Sequence, residues 1–209
     1  MVTFKDGYIL DFNDAEHVYT LYGPSDEITI LPSVTALTKP FQKYDDIDEL
    51  TLEAAADRGV TVHRLTEAVD ALEPEIECPA VYEGYVEAYR AYLSDHSVVH
   101  VHRETPVCHV GLGYAGTPDA VSYVDDALAI VDYKCTSTVN KAAVSAQVNA
   151  YQTAFEDMHG IPVEARYCLH LRGDGTYKLY PVSRRAVEFE ACLFIHKSAA
   201  RKHPRGGIE

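Results

Sequence analysis

The stretch 116-GTPDAVSYVDDALAIVDYK-134 decides the reading of this chain. A turn-like Gly-Thr-Pro-Asp leads into alternating apolar and polar residues, which predicts a strand from about 120 to 124. A second alternation, 127-ALAIVDYK-134, predicts the next strand. The short link at Val124–Asp126 predicts an antiparallel hairpin, which brings Asp119 and Asp132 to the same end of a sheet. Two carboxylates held close are costly unless a cation compensates them, and hard oxygen donors suit Mg²⁺ or Mn²⁺. Lys134 lies two residues beyond Asp132, so its ammonium falls on the same face, where it could orient a water or offset charge on a phosphoryl group.

Working outward, 97-SVVHVHRETPVCHV-110 predicts a preceding strand and 114-YAGTPDAVSYV-124 extends the first one backward, so that three consecutive strands end at Lys134. Glu104 lies in the first of them and could add a carboxylate. The segment 140-NKAAVSAQVNAYQTAFEDM-158 predicts a helix closed by Gly160 and Pro162, with Gln147 and Tyr151 one turn apart. The segment 163-VEARYCLHLRGDGTYKLYPV-182 predicts a hairpin turning at Gly-Asp-Gly. Ser183 then predicts the cap of a last helix running to about Arg201, ahead of a frayed tail, 203–209.

Toward the N-terminus, residues 7–31 alternate around Asn-Asp and Gly-Pro-Ser and predict small antiparallel strands. Ser33 predicts the cap of a short helix that Pro40 stops. From about Asp46 to Ala71 the spacing of Leu50, Ala54, Val60, Leu65 and Val69 predicts one or two helices interrupted near Gly59. His63 is on this segment, with Glu67 one turn later. Val81, Tyr85, Ala88, Tyr89 and Tyr92 make the apolar stripe of another helix. The fold class expected is α/β: a mixed central sheet flanked by helices, with a small N-terminal β-rich and helical extension. A single domain over 1–209 is expected, divided into an extension (1–45), a helical part carrying His63 (46–96) and a core (97–203).

The 209 residues carry a formal charge of −14. Residues 1–100 hold 20 acidic against 6 basic side chains, and the remainder holds 12 of each. The excess is therefore N-terminal. A basic set, Arg184, Arg185, Lys197, Arg201, Lys202 and Arg205, leaves room for a local nucleic-acid face. The five cysteines are scattered without C-x-x-C spacing and read as reduced, mostly core thiols. No long apolar run and no leader-like N-terminus is visible, so neither a membrane span nor export is expected and a cytoplasmic location is.

His on a helix, Glu on a strand, Pro-Asp, Asp-x-Lys and Gln-x-x-x-Tyr, in that order, resemble the PD-(D/E)XK nuclease superfamily in its RecB-like branch. That branch includes phage exonucleases and the mitochondrial genome maintenance exonuclease. The residues 59-GVTVHRLTE-67 resemble the branch's Gly-x-x-x-His-x-x-x-Glu helix. "GTPD" and "IVDYK" resemble its core, "QVNAY" its Gln-x-x-x-Tyr helix, and "LPSVTALTKP" a segment upstream of that core.

The resemblance implies a restriction-endonuclease-like core and a divalent-metal-dependent DNA exonuclease leaving 5′-phosphates. It implies metal ligation by His63, Asp119, Asp132 and the Tyr133 carbonyl, and catalytic roles for Asp119, Asp132, Lys134 and Glu104. Substrate would be held by Gln147 and Tyr151. One or two Mg²⁺ or Mn²⁺ ions are expected, acting on DNA ends or single strands. A place in phage-type recombination, replication or repair follows by analogy, beside a single-strand annealing protein. The scattered cysteines do not match the branch's iron–sulfur members, so no cluster is expected. Two other readings stay open: an endonuclease of the same fold acting on specific or branched DNA, and a non-cleaving interaction protein.

Overall fold

The computed structural model describes residues 1–41, 48–185 and 187–202. The hairpin quoted above lies at its centre. Strands β8 (Ala120–Val124) and β9 (Ala127–Lys134) pair antiparallel, with Ala120 opposite Val131, which puts Asp119 level with Asp132. Asp125 and Asp126 both take left-handed backbone angles (φ 49° and 69°), as a two-residue hairpin turn with the right twist requires.

Five strands make the central sheet, in the order β11 (Tyr177–Pro181), β10 (Ala165–Leu171), β9, β8 and β5 (Val98–Arg103). Strand β5 is antiparallel to β8, with an irregularity between His100 and His102. Strand β10 is parallel to β9, and β11 returns antiparallel through the Gly173–Gly175 turn. Helix α4 (Lys141–His159) makes the crossover that a parallel neighbour needs. Asn140 caps its start and left-handed Gly160 (φ 68°) its end.

Alternation along β9 sorts its side chains between two faces. Leu128 and Ile130 pack with Val144, Val148 and Phe155 of α4. Ala129, Val131 and Tyr133 pack with Val62 of α2 (Glu49–Asp70) and with Tyr89 and Tyr92 of α3 (Glu83–Asp95). At Gly84 the N-terminus of α3 lies so near the β10–β11 turn that a Cβ there would meet the Gly173 carbonyl oxygen. Only hydrogen fits against that backbone.

A second, four-stranded antiparallel sheet holds β1 (Val2–Thr3), β2 (Ile9–Asn13), β3 (Val18–Tyr22) and β4 (Ile28–Leu31). Leu10, Tyr19, Leu21 and Leu31 bury against Cys108 and Ala115 of a two-stranded ribbon, β6 (Val107–His109) and β7 (Tyr114–Gly116). Ser33 caps α1 (Val34–Thr38) through its hydroxyl, as expected. This is the mixed α/β architecture with an N-terminal β-rich extension.

Five details differ from the sequence-based reading. The segment 97–110 is two strands: Glu104 turns into a left-handed conformation (φ 42°) and Pro106 follows, so β5 and β6 belong to different sheets. Thr117–Asp119 likewise separates β7 from β8. Helix α2 runs unbroken through Gly59, whose cost of about 1 kcal/mol a 22-residue helix tolerates. Its buried face is Val62, Leu65 and Thr66; Leu50 and Val60 are exposed, as is Val81 ahead of α3. The last helix, α5 (Val187–Lys202), starts beyond Ser183, whose carbonyl instead accepts from Asn149. Arg205 and the tail 203–209 lie outside the described residues, as do 42–47.

Cys108, Cys135, Cys168 and Cys192 are buried free thiols and Cys78 is partly exposed. No helix among the described residues is long and apolar enough to cross a membrane.

Candidate active site

Asp132 and Lys134 project from β9 toward α4. Asp132 is 1% exposed, and the Lys134 Nζ lies 2.9 Å from its Oδ1 and 2.8 Å from its Oδ2. The Oδ2 contact falls outside hydrogen-bond geometry, so that buried oxygen has charge beside it and no donor directed at it. Lys134 also donates to Gln147 Oε1 (3.2 Å), and Gln147 Nε2 donates to the Tyr151 hydroxyl (2.9 Å). The i, i+4 spacing on α4 makes Gln147 and Tyr151 one unit, and that unit holds the ammonium from the side opposite Asp132.

Burial alone would drive the Lys134 proton off, but Asp132 and Asp119 more than reverse that and hold the ammonium well above the ordinary lysine range. Burial pushes the Asp132 carboxyl up, with Lys134 opposing it. At neutral pH the pair is ionic. Lys134 is therefore a donor and a fixed positive charge, not a base.

Asp119 follows Pro118 at the mouth of the sheet. One of its oxygens accepts the Tyr133 N–H, which ties it to the backbone between Asp132 and Lys134. Its other oxygen is 3.7 Å from His63 Nδ1, and Glu104 Oε1 is 3.4 Å from the same nitrogen. Glu104 reaches this position from just past the end of β5, its N–H held by the Asp119 carbonyl (3.1 Å). The positive φ that removes Glu104 from its strand is what aims it at His63.

Burial lowers the His63 pKa, but Asp119 and the hydrogen bond that the ring donates to Glu104 outweigh it and leave the ring at about 9. The imidazole is thus cationic between two carboxylates at neutral pH. A histidine pKa raised on folding stabilises the protein fully below pH 6.5, and that stabilisation drains as pH rises through about 9. We expect the melting temperature of the metal-free protein, measured in EDTA, to fall across that window. His63→Gln should flatten the slope, by about 2 kcal/mol once screening at half-exposed Glu104 is allowed for.

The residues singled out in the sequence thus adjoin one another: His63, Glu104 and Asp119 on one side, and Asp132, Lys134, Gln147 and Tyr151 on the other. Tyr133 joins the two sets through its N–H. Glu67 lies near enough to Glu104 for that charge to help burial raise its carboxyl pKa. Among the described residues, no three His, Cys, Asp or Glu side chains already form a metal cage. The donor chemistry nevertheless fits a hard divalent cation: two or three carboxylates, one imidazole, and a buried carboxylate oxygen without a donor.

A network not foreseen from the sequence lies behind β9. Arg103 donates through Nη1 to Asp70, to the Tyr89 hydroxyl (2.9 Å) and to the Tyr133 hydroxyl (2.9 Å), and through Nη2 to Thr66 Oγ1 (3.1 Å). His100 joins Asp70 at 3.3 Å and Ser122 at 2.8 Å. Side chains from α2, α3 and β9 are fixed to one guanidinium carried by β5, β8 is joined to them through His100 and Ser122, and β9 is held by its Tyr133, the residue between Asp132 and Lys134. Its central members are an arginine at the end of a strand and an aspartate at the end of a helix, and no local spacing links the two.

Gly116 completes the packing. A Cβ there would lie 2.6 Å from Tyr151 Cε1 and 2.9 Å from Val34 Cγ2. Gly116→Ala is expected to cost about 1–3 kcal/mol in urea unfolding. By displacing Tyr151 from Gln147 it should also lower activity.

No family model matches this sequence, and no curated protein does. Among solved structures the chain is similar to an alkaline exonuclease, LHK-Exo from Laribacter hongkongensis. The identity is 12% and the TM-score 0.40, over 82% of this chain and 88% of that one.

Proposed function

We propose that the chain is a divalent-metal-dependent deoxyribonuclease of the PD-(D/E)XK type, acting as an exonuclease on DNA ends or single strands. The observation that carries this reading is Lys134. It is a partly buried ammonium held by fully buried Asp132 and by Gln147, on the same strand end as Asp119, His63 and Glu104. A structural ion pair needs no such company.

Asp119, Asp132, His63 and the Tyr133 main-chain carbonyl would hold Mg²⁺ or Mn²⁺, with Glu104 beside them. The cation would supply Lewis acidity toward the phosphoryl oxygens and a more acidic water. His63 would give up its proton when the metal binds, since a ligating imidazole is neutral. The protein's own part is positional and electrostatic. Asp132 and Gln147 fix the Lys134 ammonium where negative charge grows on the phosphoryl oxygens as water adds to phosphorus and the P–O bond to the leaving nucleotide breaks. Tyr151 keeps Gln147 in the orientation that presents its oxygen to Lys134.

The test is digestion of 5′- and 3′-labelled single- and double-stranded oligonucleotides, and of closed circles, with Mn²⁺ or with EDTA. Stepwise release of 5′-phosphorylated mononucleotides from ends, abolished by EDTA, is expected. Cutting of closed circles would make it an endonuclease; no cleavage of any substrate would remove the nuclease reading.

A further inference from the structure

A cleft of about 320 Å³ opens where β9 and β10 end, among residues that none of the chemistry above uses. These are the carboxyl ends of two parallel neighbours, the place where sheets of this kind receive ligands. Arg58 lines it from α2, Thr136 and Ser137 from the chain just after Lys134, His170 from β10, and Arg172 and Asp174 from the β10–β11 turn.

Three features make it a site for a phosphate. The ion pairs of arginine and lysine among the described residues are those of Arg103, Lys134 and Arg184, so Arg58 and Arg172 both reach the cleft without a carboxylate within ion-pair distance. Arg58 is held by its Nε, which donates to the Cys135 carbonyl at 3.1 Å, and its guanidinium lies beside the Cys135 thiol, so its terminal nitrogens are oriented. His170 is 4% exposed; its Nε2 meets the Thr136 carbonyl at 2.7 Å, while its Nδ1 has no partner. With Nε2–H given to that carbonyl, Nδ1 is an acceptor, so a phosphate would reach it only through a bridging water. The acid of the cleft, Asp174, already accepts from the Thr176 N–H and hydroxyl.

We infer that this cleft binds one backbone phosphate of the DNA strand next to the phosphodiester being cut, with Arg58 and Arg172 as its clamp. The inference rests on the nuclease reading for its ligand and on the cleft's own residues for its place. Thr136 is two residues past Lys134, a span of about 7 Å in extended chain, so the two phosphates would be near neighbours on one strand. It also gives a chain of net charge −14 a local point of purchase on a polyanion.

The experiment measures binding of the full chain to a short fluorescein-labelled single-stranded oligonucleotide by anisotropy, in EDTA, over a salt series. Arg172→Gln, Arg58→Gln and the double variant are compared with wild type. Arg172 is exposed, so its variant keeps the test intact even if Arg58→Gln disturbs α2. The double variant should bind about tenfold more weakly at low salt. Its log–log salt slope should be shallower by about 0.7 for the one phosphate lost. A single neutral methylphosphonate linkage, moved along the oligonucleotide, should weaken the double variant at one position fewer than wild type.

Variants that bind with wild-type affinity and slope overturn the cleft, while Mn²⁺-dependent cleavage by wild type leaves the nuclease reading standing. Arginine-dependent binding without cleavage does the reverse. A wild type that neither binds nor cleaves overturns both.

Discussion

Lys134→Met is expected to lower Mn²⁺-dependent cleavage by about a thousandfold, the scale of losing one charge-stabilising donor in a water-poor site. The protein should still fold. The substitution leaves Asp132 buried without its cation, but burial already pushes that carboxyl up, so it can take a proton in place of the lost partner. Circular dichroism should be native at pH 6 and the activity loss should persist at every pH at which the variant is folded. Lys134→Arg should not rescue it, because a planar guanidinium cannot occupy the space between Asp132 and Gln147 that a compact ammonium fills. A Lys134→Met enzyme with activity near wild type would remove the lysine from the chemistry.

The second large effect is on stability. Arg103→Ala should cost about 3–5 kcal/mol in urea unfolding, as for removal of one partner from a buried charge pair. Asp70 and Arg103 are each 16% exposed in their side chains, and three hydroxyls lose their donor together with the carboxylate. His100 remains beside Asp70 and keeps the loss from being larger. Arg103→Lys should fall between wild type and Ala, since an ammonium can serve Asp70 but not fork to Tyr89, Tyr133 and Thr66 at once. Because Tyr133 fixes the strand between Asp132 and Lys134, cleavage at temperatures where both variants are folded should also drop. A cost below about 1 kcal/mol would show that the network is dispensable.

The central hairpin was legible because two independent signals agreed there. Period-two alternation set the strands, and the short polar link between them set the register, which placed Asp119 level with Asp132 and put Lys134 on the Asp132 face. The convergence of His63 and Gln147 on the same end was not legible from periodicity; it follows from how α2 and α4 pack on opposite faces of the sheet. Glu104 was expected on a strand. It stands at a turn, because the backbone breaks ahead of Pro106, and the alternation of Val98 to His102 gave no warning of that break.

Helix α2 was misjudged in two ways with one cause. Apolar spacing selects Leu50 and Val60 along with Leu65 and Val69, of which Leu65 is buried and Val69 packs on the core; tertiary packing adds Val62, buries Thr66 beside Arg103 and carries Gly59 along, while Leu50 and Val60 stay exposed. The Arg103 network and the Arg58–Arg172 cleft each draw side chains from segments more than 60 residues apart in the chain. Nothing in local spacing announces such a meeting.

The most direct test of the central claim is a Mn²⁺ titration of the apoprotein followed by electron paramagnetic resonance, on wild type and on the double variant His63→Ala, Asp119→Asn. Wild type should bind Mn²⁺ saturably, and the double variant should lose that binding while its far-ultraviolet spectrum stays native. Mn²⁺ bound equally well by both proteins would show that the imidazole and the two aspartates do not share one cation.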